Sequence, residues 1–223
     1  MKTAILIDGG FYRRRAQALF GEKDARSRAE ELSHYCHRHL KEKHEDRELY
    51  RIFYYDCPPM EKKIYHPLLK AQIDYSTTEL YTWTHEFFKE LKKRRKFALR
   101  LGNLSESVAH FNLRMDATKK LCAGSLRFED ITDEHFELKV EQKGVDMKIG
   151  IDIASMAYKK QVEQIILIAG DSDFVPAAKL ARREGIDFIL DPMGNTIKPD
   201  LQEHIDGIRS QTKHFVKKQQ VRD

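Results

Sequence analysis

The sequence predicts an α/β fold with a mainly parallel central sheet covered by helices. Two observations carry this. Short, β-branched apolar runs recur at Ala4-Ile5-Leu6-Ile7, Ile165-Ile166-Leu167-Ile168-Ala169 and Ile186-Asp187-Phe188-Ile189-Leu190. The first two are apolar on both alternating faces, as strands buried on both sides of a parallel sheet are. These runs also end in acids: Asp8, then Asp171 and Asp173, then Asp191. In open α/β sheets, ligands bind outside the carboxyl ends of the strands.

The chain has 223 residues, 41% hydrophobic and 34% charged, enough for one α/β domain with a core and an insertion. The expected organisation is one domain over 1–210, an insertion at about 104–134 and a basic tail over 211–223. No apolar run approaches the roughly 20 residues that span a membrane. Met1 leads straight into the first strand, which leaves no room for a signal peptide. Cys36, Cys57 and Cys122 are odd in number and widely spaced, which disfavours a disulfide framework or a zinc site and fits a reducing cytoplasm. A formal charge of +5 permits a nucleic-acid partner without demanding one.

After Asp8 come Gly9-Gly10, which permit a tight turn or a close backbone approach. No third glycine completes a dinucleotide fingerprint. Arg13, Arg14 and Arg15 follow; they either bind phosphates or form a solvated first helical turn. Residues 25–43 read as a helix with Ala29, Leu32, Cys36 and Leu40 on one face. His34, His37, His39 and His44 within it read as surface histidines. Leu49–Tyr55 is a strand ending at Asp56, a weaker site candidate, and Pro58-Pro59 stop it. Residues 64–95 are mostly helical in pattern, with a break or first turn at His66-Pro67. Lys89–Lys96 carries six basic residues in eight; Lys92, Lys93, Arg94, Arg95 and Lys96 are either a phosphate-binding patch or a cationic helix end.

Phe97–Leu101 is a strand closed by Gly102-Asn103. Residues 104–133 carry no clear period and read as loop and short helix on the binding side. Phe136–Val140 alternates as a short strand. Val145–Tyr158 is a helix whose buried stripe is Ile149, Ile153 and Ala157, with Asp146 on the same face at its first turn. Asp152 lies six residues on, roughly 9 Å along the axis and a third of a circle round, so it is a supporting acid rather than a second ligand. Residues 175–184 form a helix capped by Gly185, and Lys198–Ile208 a closing helix.

Asp8, Asp146, Asp171 and Asp173 thus converge on the carboxyl edge. Asp171 also reads as a turn residue and Asp173 as a helix cap. Together the four acids repel one another unless protonated or bridged by a cation. Carboxylate oxygens suit Mg²⁺ or Mn²⁺, not zinc, and such a cluster can activate water for phosphodiester cleavage.

At these residues the sequence resembles the NYN domains of the LabA-like group, relatives of PIN-domain nucleases. The matching stretches are AILIDGG at 4–10, FALRLG at 97–102, KGVDMKIGIDIASMA at 143–157 and ILIAGDSDFVPAAKLARREG at 166–185. The resemblance implies a three-layer α/β/α sandwich of PIN-like, Rossmann-like type, a metal-dependent ribonuclease site and RNA as substrate. Asp8, Asp146, Asp171 and Asp173 match its acidic positions and Asp152 a further recurrent acid; Ser172 and Lys143 lie within the matched motifs as supporting residues. Many relatives carry Asn shortly after the first Asp, where this chain has Phe11-Tyr12.

The leading expectation is therefore an Mg²⁺- or Mn²⁺-dependent endoribonuclease; the alternative is an RNA-binding or regulatory module that cleaves nothing. A DNA substrate stays open, as does a homo-oligomer. A phosphohydrolase of the haloacid-dehalogenase type is disfavoured, because its second acid after the first strand is Gly10 here.

Overall fold

The computed structural model describes residues 1–42 and 45–212. His44 and residues 213–223, most of the expected basic tail, lie outside the described residues. Six strands form the central sheet: β1 (Lys2–Asp8), β2 (Glu48–Asp56), β3 (Phe97–Leu101), β4 (Gln164–Ile168), β5 (Asp187–Asp191) and the two-residue β6 (Gly207–Ile208). Their order is β3-β2-β1-β4-β5-β6, and every neighbouring pair is parallel.

Five helices cover the sheet: α1 (Gly9–Phe20), α2 (Ala25–Arg38), α3 (Glu79–Lys92), α4 (Val145–Tyr158) and α5 (Val175–Arg183). The strand alternation divides the core between two faces. Ile5, Ile7, Ile52, Tyr54, Ile166 and Ile168 meet α1, α2 and α3. Ala4, Leu6, Phe53, Ile165 and Leu167 meet α4 and α5. This is the α/β/α sandwich the sequence predicts.

The order matters for function. The chain leaves β1 into α1 on one face and leaves its neighbour β4 into α5 on the other. Adjacent strands whose connections part to opposite faces open a crevice at their carboxyl ends, the topological switch point of a doubly wound sheet. Two glycines let the chain close around it. A Cβ at Gly9 would lie 2.6 Å from Asp56 Oδ2, Tyr54 Cζ and Tyr55 O; one at Gly170 would lie 2.4 Å from Phe11 Cε2.

Three expectations change. Residues 63–74 form an antiparallel hairpin, Lys63–His66 with Ala71–Asp74, and the helix begins only at Glu79. The alternating burial of Lys63-Ile64-Tyr65-His66 is a strand pattern, and Pro67 disfavours the helical region before it. The closing helix shrinks to Pro199–Gln202. Asp206 then accepts from the Phe188 backbone N–H and from Arg182 Nε, both at 2.8 Å, and guides the chain into β6. His39 is fully buried rather than at the surface.

Asp191, at the end of β5, ties this region together. Its Oδ2 takes the Tyr35 hydroxyl at 2.5 Å and lies 2.9 Å from His39 Nε2; its Oδ1 accepts from Ser210 Oγ and the Met193 backbone N–H, both at 2.7 Å. The expected insertion is ordered in pieces. His110–Leu113 pairs antiparallel with Phe136–Lys139, so the unit extends past residue 134. A short helix, Met115–Cys122, lies between them. His66 sits against Phe111 and Phe136, with ring centroids 4.3 and 4.9 Å away, which joins the two hairpins.

Candidate functional site

Asp8 ends β1 and caps α1, where its Oδ1 accepts the Phe11 backbone N–H at 3.1 Å. Its carboxyl is held above the ordinary Asp range, first by burial and then by the charges of Asp146 and Asp56; the Phe11 bond and Arg14 pull it back. Asp146 lies in the first turn of α4, after Gly144 at φ 83°. Its pKa is also raised, by burial, then Asp171, then Asp173. The four predicted acids therefore share one field, with Asp146 as the link between Asp8 and the β4 loop. Asp171 Oδ1 accepts the Asp173 backbone N–H at 3.2 Å. Phe174, not Asp173, is the N-cap of α5, and no side chain caps it.

The acids do not close into a ligand shell. Among the described residues, no three His, Cys, Asp or Glu side chains stand close enough together to grip an ion at once. The donor set still fits a hydrated hard cation: Mg²⁺ keeps several of its waters and is commonly held by one or two carboxylates. Burial first, and then neighbouring carboxylates, raise Asp8 and Asp146; a cation relieves the second of these.

The structure separates the remaining candidates. Arg13 Nη2 pairs with Asp56 Oδ1 at 3.0 Å. Asp56 is 1% exposed and also accepts from Tyr54 Oη at 3.1 Å and the Cys57 backbone N–H at 2.8 Å. Burial raises its pKa and Arg13 lowers it. Arg15 Nη2 donates to Met193 O at 2.8 Å and secures the loop after β5. Arg14 is exposed, and its charge acts on Asp8. Three consecutive helical residues point three ways, so one of the three arginines faces the acids openly.

The Lys92–Lys96 run sits elsewhere. Lys93 pairs with Glu90 at 2.5 Å, and Lys96 Nζ donates to Leu49 O near the start of β2. Leu49 is seven residues before Asp56 on that strand, roughly 23 Å at 3.3 Å per residue. The run therefore occupies the amino edge of a parallel sheet, and Arg94 and Arg95 belong to the turn that leads into β3.

Asp152 also lies off the cluster. It accepts from Tyr55 Oη at 2.9 Å and pairs with Arg100 Nε at 3.0 Å. Lys143 Nζ pairs with Glu141 at 3.5 Å, and its backbone packs against Gly102. The Ser172 side chain lies outside the described residues. Cys57 is buried beside Asp56; burial, then that charge, push its thiol up to about 11. It is therefore not a thiolate nucleophile near neutral pH.

Fold and site together define a class: a doubly wound sandwich with carboxylates gathered at its switch point. Residues 2–206 match the NYN domain family, and the chain belongs to that family, a group of PIN-like nuclease domains. No curated protein matches it. A crystal structure of a protein of unknown function from Vibrio parahaemolyticus is similar over 94% of this chain and 92% of its own, at 13% identity and a TM-score of 0.47. That likeness is too distant to carry an argument. Among the described residues, no helix is long and apolar enough to cross a membrane.

Proposed function

We propose that this chain is an endoribonuclease of the LabA-like branch that uses Mg²⁺ or Mn²⁺ and cleaves RNA phosphodiester bonds at the β1–β4 crevice. The observation that carries the reading is the placing of four carboxylates at that crevice: Asp8 at the end of β1, Asp171 and Asp173 after β4, and Asp146 in the first turn of α4. Asp8, Asp146 and Asp171 would hold a hydrated cation, one or two of them directly and the rest through its waters; when bound it would supply charge to the scissile phosphate and lower the pKa of an attacking water. Asp8 keeps its Oδ1 on the α1 backbone, which would leave its Oδ2 for this task. Asp173 would orient water, and its backbone N–H holds the Asp171 carboxylate in the turn. Arg14 would draw the phosphate to the acids, while Asp56 and Arg13 neutralise each other beneath.

A second reading, an RNA-binding or regulatory module without turnover, is favoured by one observation: no three of these acids come within reach of a single ion. Cleavage of a mixed RNA pool with Mn²⁺, Mg²⁺ or chelator, using wild type beside Asp171→Asn, separates the two. The nuclease reading expects metal-dependent products and a loss on the order of 10²-fold or more in the variant. Equal cleavage by a folded Asp171→Asn protein would sink it. RNA retention without turnover by wild type would establish the module.

A further inference from the structure

A groove of about 520 Å³ opens beside the acids, between α1 and the first turns of α3. Gly10 and Gln142 are among its lining residues. Gly10 lies between the Asp8 carboxylate and the Arg14 guanidinium: a Cβ there would stand 3.5 Å from Asp8 Oδ1 and 3.9 Å from Arg14 Nη1. Gln142 precedes by two residues the Gly144 cap of the helix that carries Asp146. The groove is thus continuous with the acid cluster. Leu80, 66% exposed, and Trp83 line it from α3.

Trp83 is held rigidly. One face lies on Phe87, with centroids 5.0 Å apart and planes 14° from parallel, and its N–H donates to Lys23 O at 2.9 Å. What remains of the indole lines the groove with Leu80. The charged wall carries Glu22 and Glu79, both exposed, and four cations, Arg13, Arg14, Lys23 and Arg28. The acids that balance two of them, Asp56 for Arg13 and Glu31 for Lys23, are buried behind that wall. With four cations against two acids, the lining carries an excess of two positive charges, which favours an anionic ligand.

A flat apolar platform, neighbouring cations and a short path to the acid cluster match one chemistry. We propose that the groove takes an unpaired nucleotide of the RNA strand adjoining the scissile phosphate, with its base on Trp83 and Leu80 and its phosphate at Arg14. The substrate is then single-stranded at this position, because a base held in an A-form duplex cannot be presented to a side-chain platform. This rests on RNA as the ligand of the acidic site, but not on cleavage.

Trp83 is the one tryptophan of the chain, so its fluorescence reports this groove alone. The test titrates wild-type protein in chelator with a short unstructured oligoribonucleotide, with the same sequence as a blunt duplex, and with an abasic strand, while the anisotropy of a labelled strand reports total binding. The expected result is saturable quenching by the single strand, affinity lower by about tenfold or more for the duplex, and no quenching by the abasic strand. Arg14→Ala, at an exposed position that does not endanger folding, is expected to weaken binding and reduce the slope of log affinity against log salt by about 1. Binding seen by anisotropy without quenching, equal affinity for duplex and single strand, or no binding at all would each overturn the proposal. Quenching without metal-dependent turnover would leave the groove standing and remove the nuclease reading. Turnover without quenching would do the reverse.

Discussion

Replacing Gly9 by alanine places a methyl carbon 2.6 Å from three atoms at once: Asp56 Oδ2, Tyr54 Cζ and Tyr55 O. Non-bonded carbons settle at roughly 3.5–4.0 Å, so each contact is short by most of an ångström. None of the three is a flexible chain end. Tyr55 O belongs to β2, held in register against Asp8 of β1. Asp56 is pinned by Arg13, Tyr54 and the Cys57 N–H. Overpacking of this kind costs about 1–3 kcal/mol, and fixed neighbours put Gly9 near the top of that range. Alanine returns about 0.5–1 kcal/mol at a helical position. The net loss is about 2 kcal/mol, or about 4–8 °C in Tm for a chain of this size. Urea unfolding and a thermal melt measure it. Gly150→Ala is the control: it lies inside α4 with nothing within 4 Å of the added carbon, so it should gain about 0.5–1 kcal/mol. A Gly9→Ala protein as stable as wild type would refute the close packing of β1 on β2 from which the site geometry follows.

Other outcomes follow from the same contacts. Asp8, Asp56 and Asp146 all have raised pKa values in the fold. The folded chain therefore binds protons more tightly than the unfolded one. Their contribution is fully present below the ordinary Asp value of 3.8 and is lost as pH rises through the folded values. Asp146→Asn should flatten that part of the stability–pH curve and raise stability at neutral pH; a lower neutral-pH Tm would contradict it. Mn²⁺ at 100 times its wild-type Kd should stabilise wild type by about 2.7 kcal/mol, seen as a rise in Tm that is at most about half as large in Asp146→Asn. Asp191→Ala removes the carboxylate that bonds buried His39 and Tyr35 and should cost about 1–3 kcal/mol, measured by denaturant unfolding. Asp152→Ala leaves the Tyr55 hydroxyl without its carboxylate and should cost about 1–3 kcal/mol, and its melting curve checks this.

What was legible in the sequence is what local pattern encodes. The β1 and β4 runs read as buried strands because both faces are apolar, and their terminal acids could be placed at one edge from that alone. The helix of Val145–Tyr158 and the strand of Phe97–Leu101 were found with their bounds. What failed depended on contacts distant in sequence. Lys92–Lys96 looked like a phosphate patch because six basic residues cluster, but only the parallel register places it at the opposite edge from Asp8. Arg13 and Arg15 lose their freedom to Asp56 and Met193, 43 and 178 residues away. The His39–Asp191 pair spans 152 residues. β6 has two residues and no strand signal; it exists because Asp206 bonds to β5. The Trp83 groove joins three segments, and no motif marks it.

The most direct test of the account is a count of bound Mn²⁺ by electron paramagnetic resonance, on wild type, Asp146→Asn and Asp152→Asn, with all three shown to be folded. If the strand-end acids form one cation site linked through Asp146, wild type takes up Mn²⁺ saturably, Asp146→Asn binds it about tenfold or more weakly, and Asp152→Asn matches wild type. Equal Mn²⁺ binding by wild type and Asp146→Asn would contradict the central claim that these carboxylates act together.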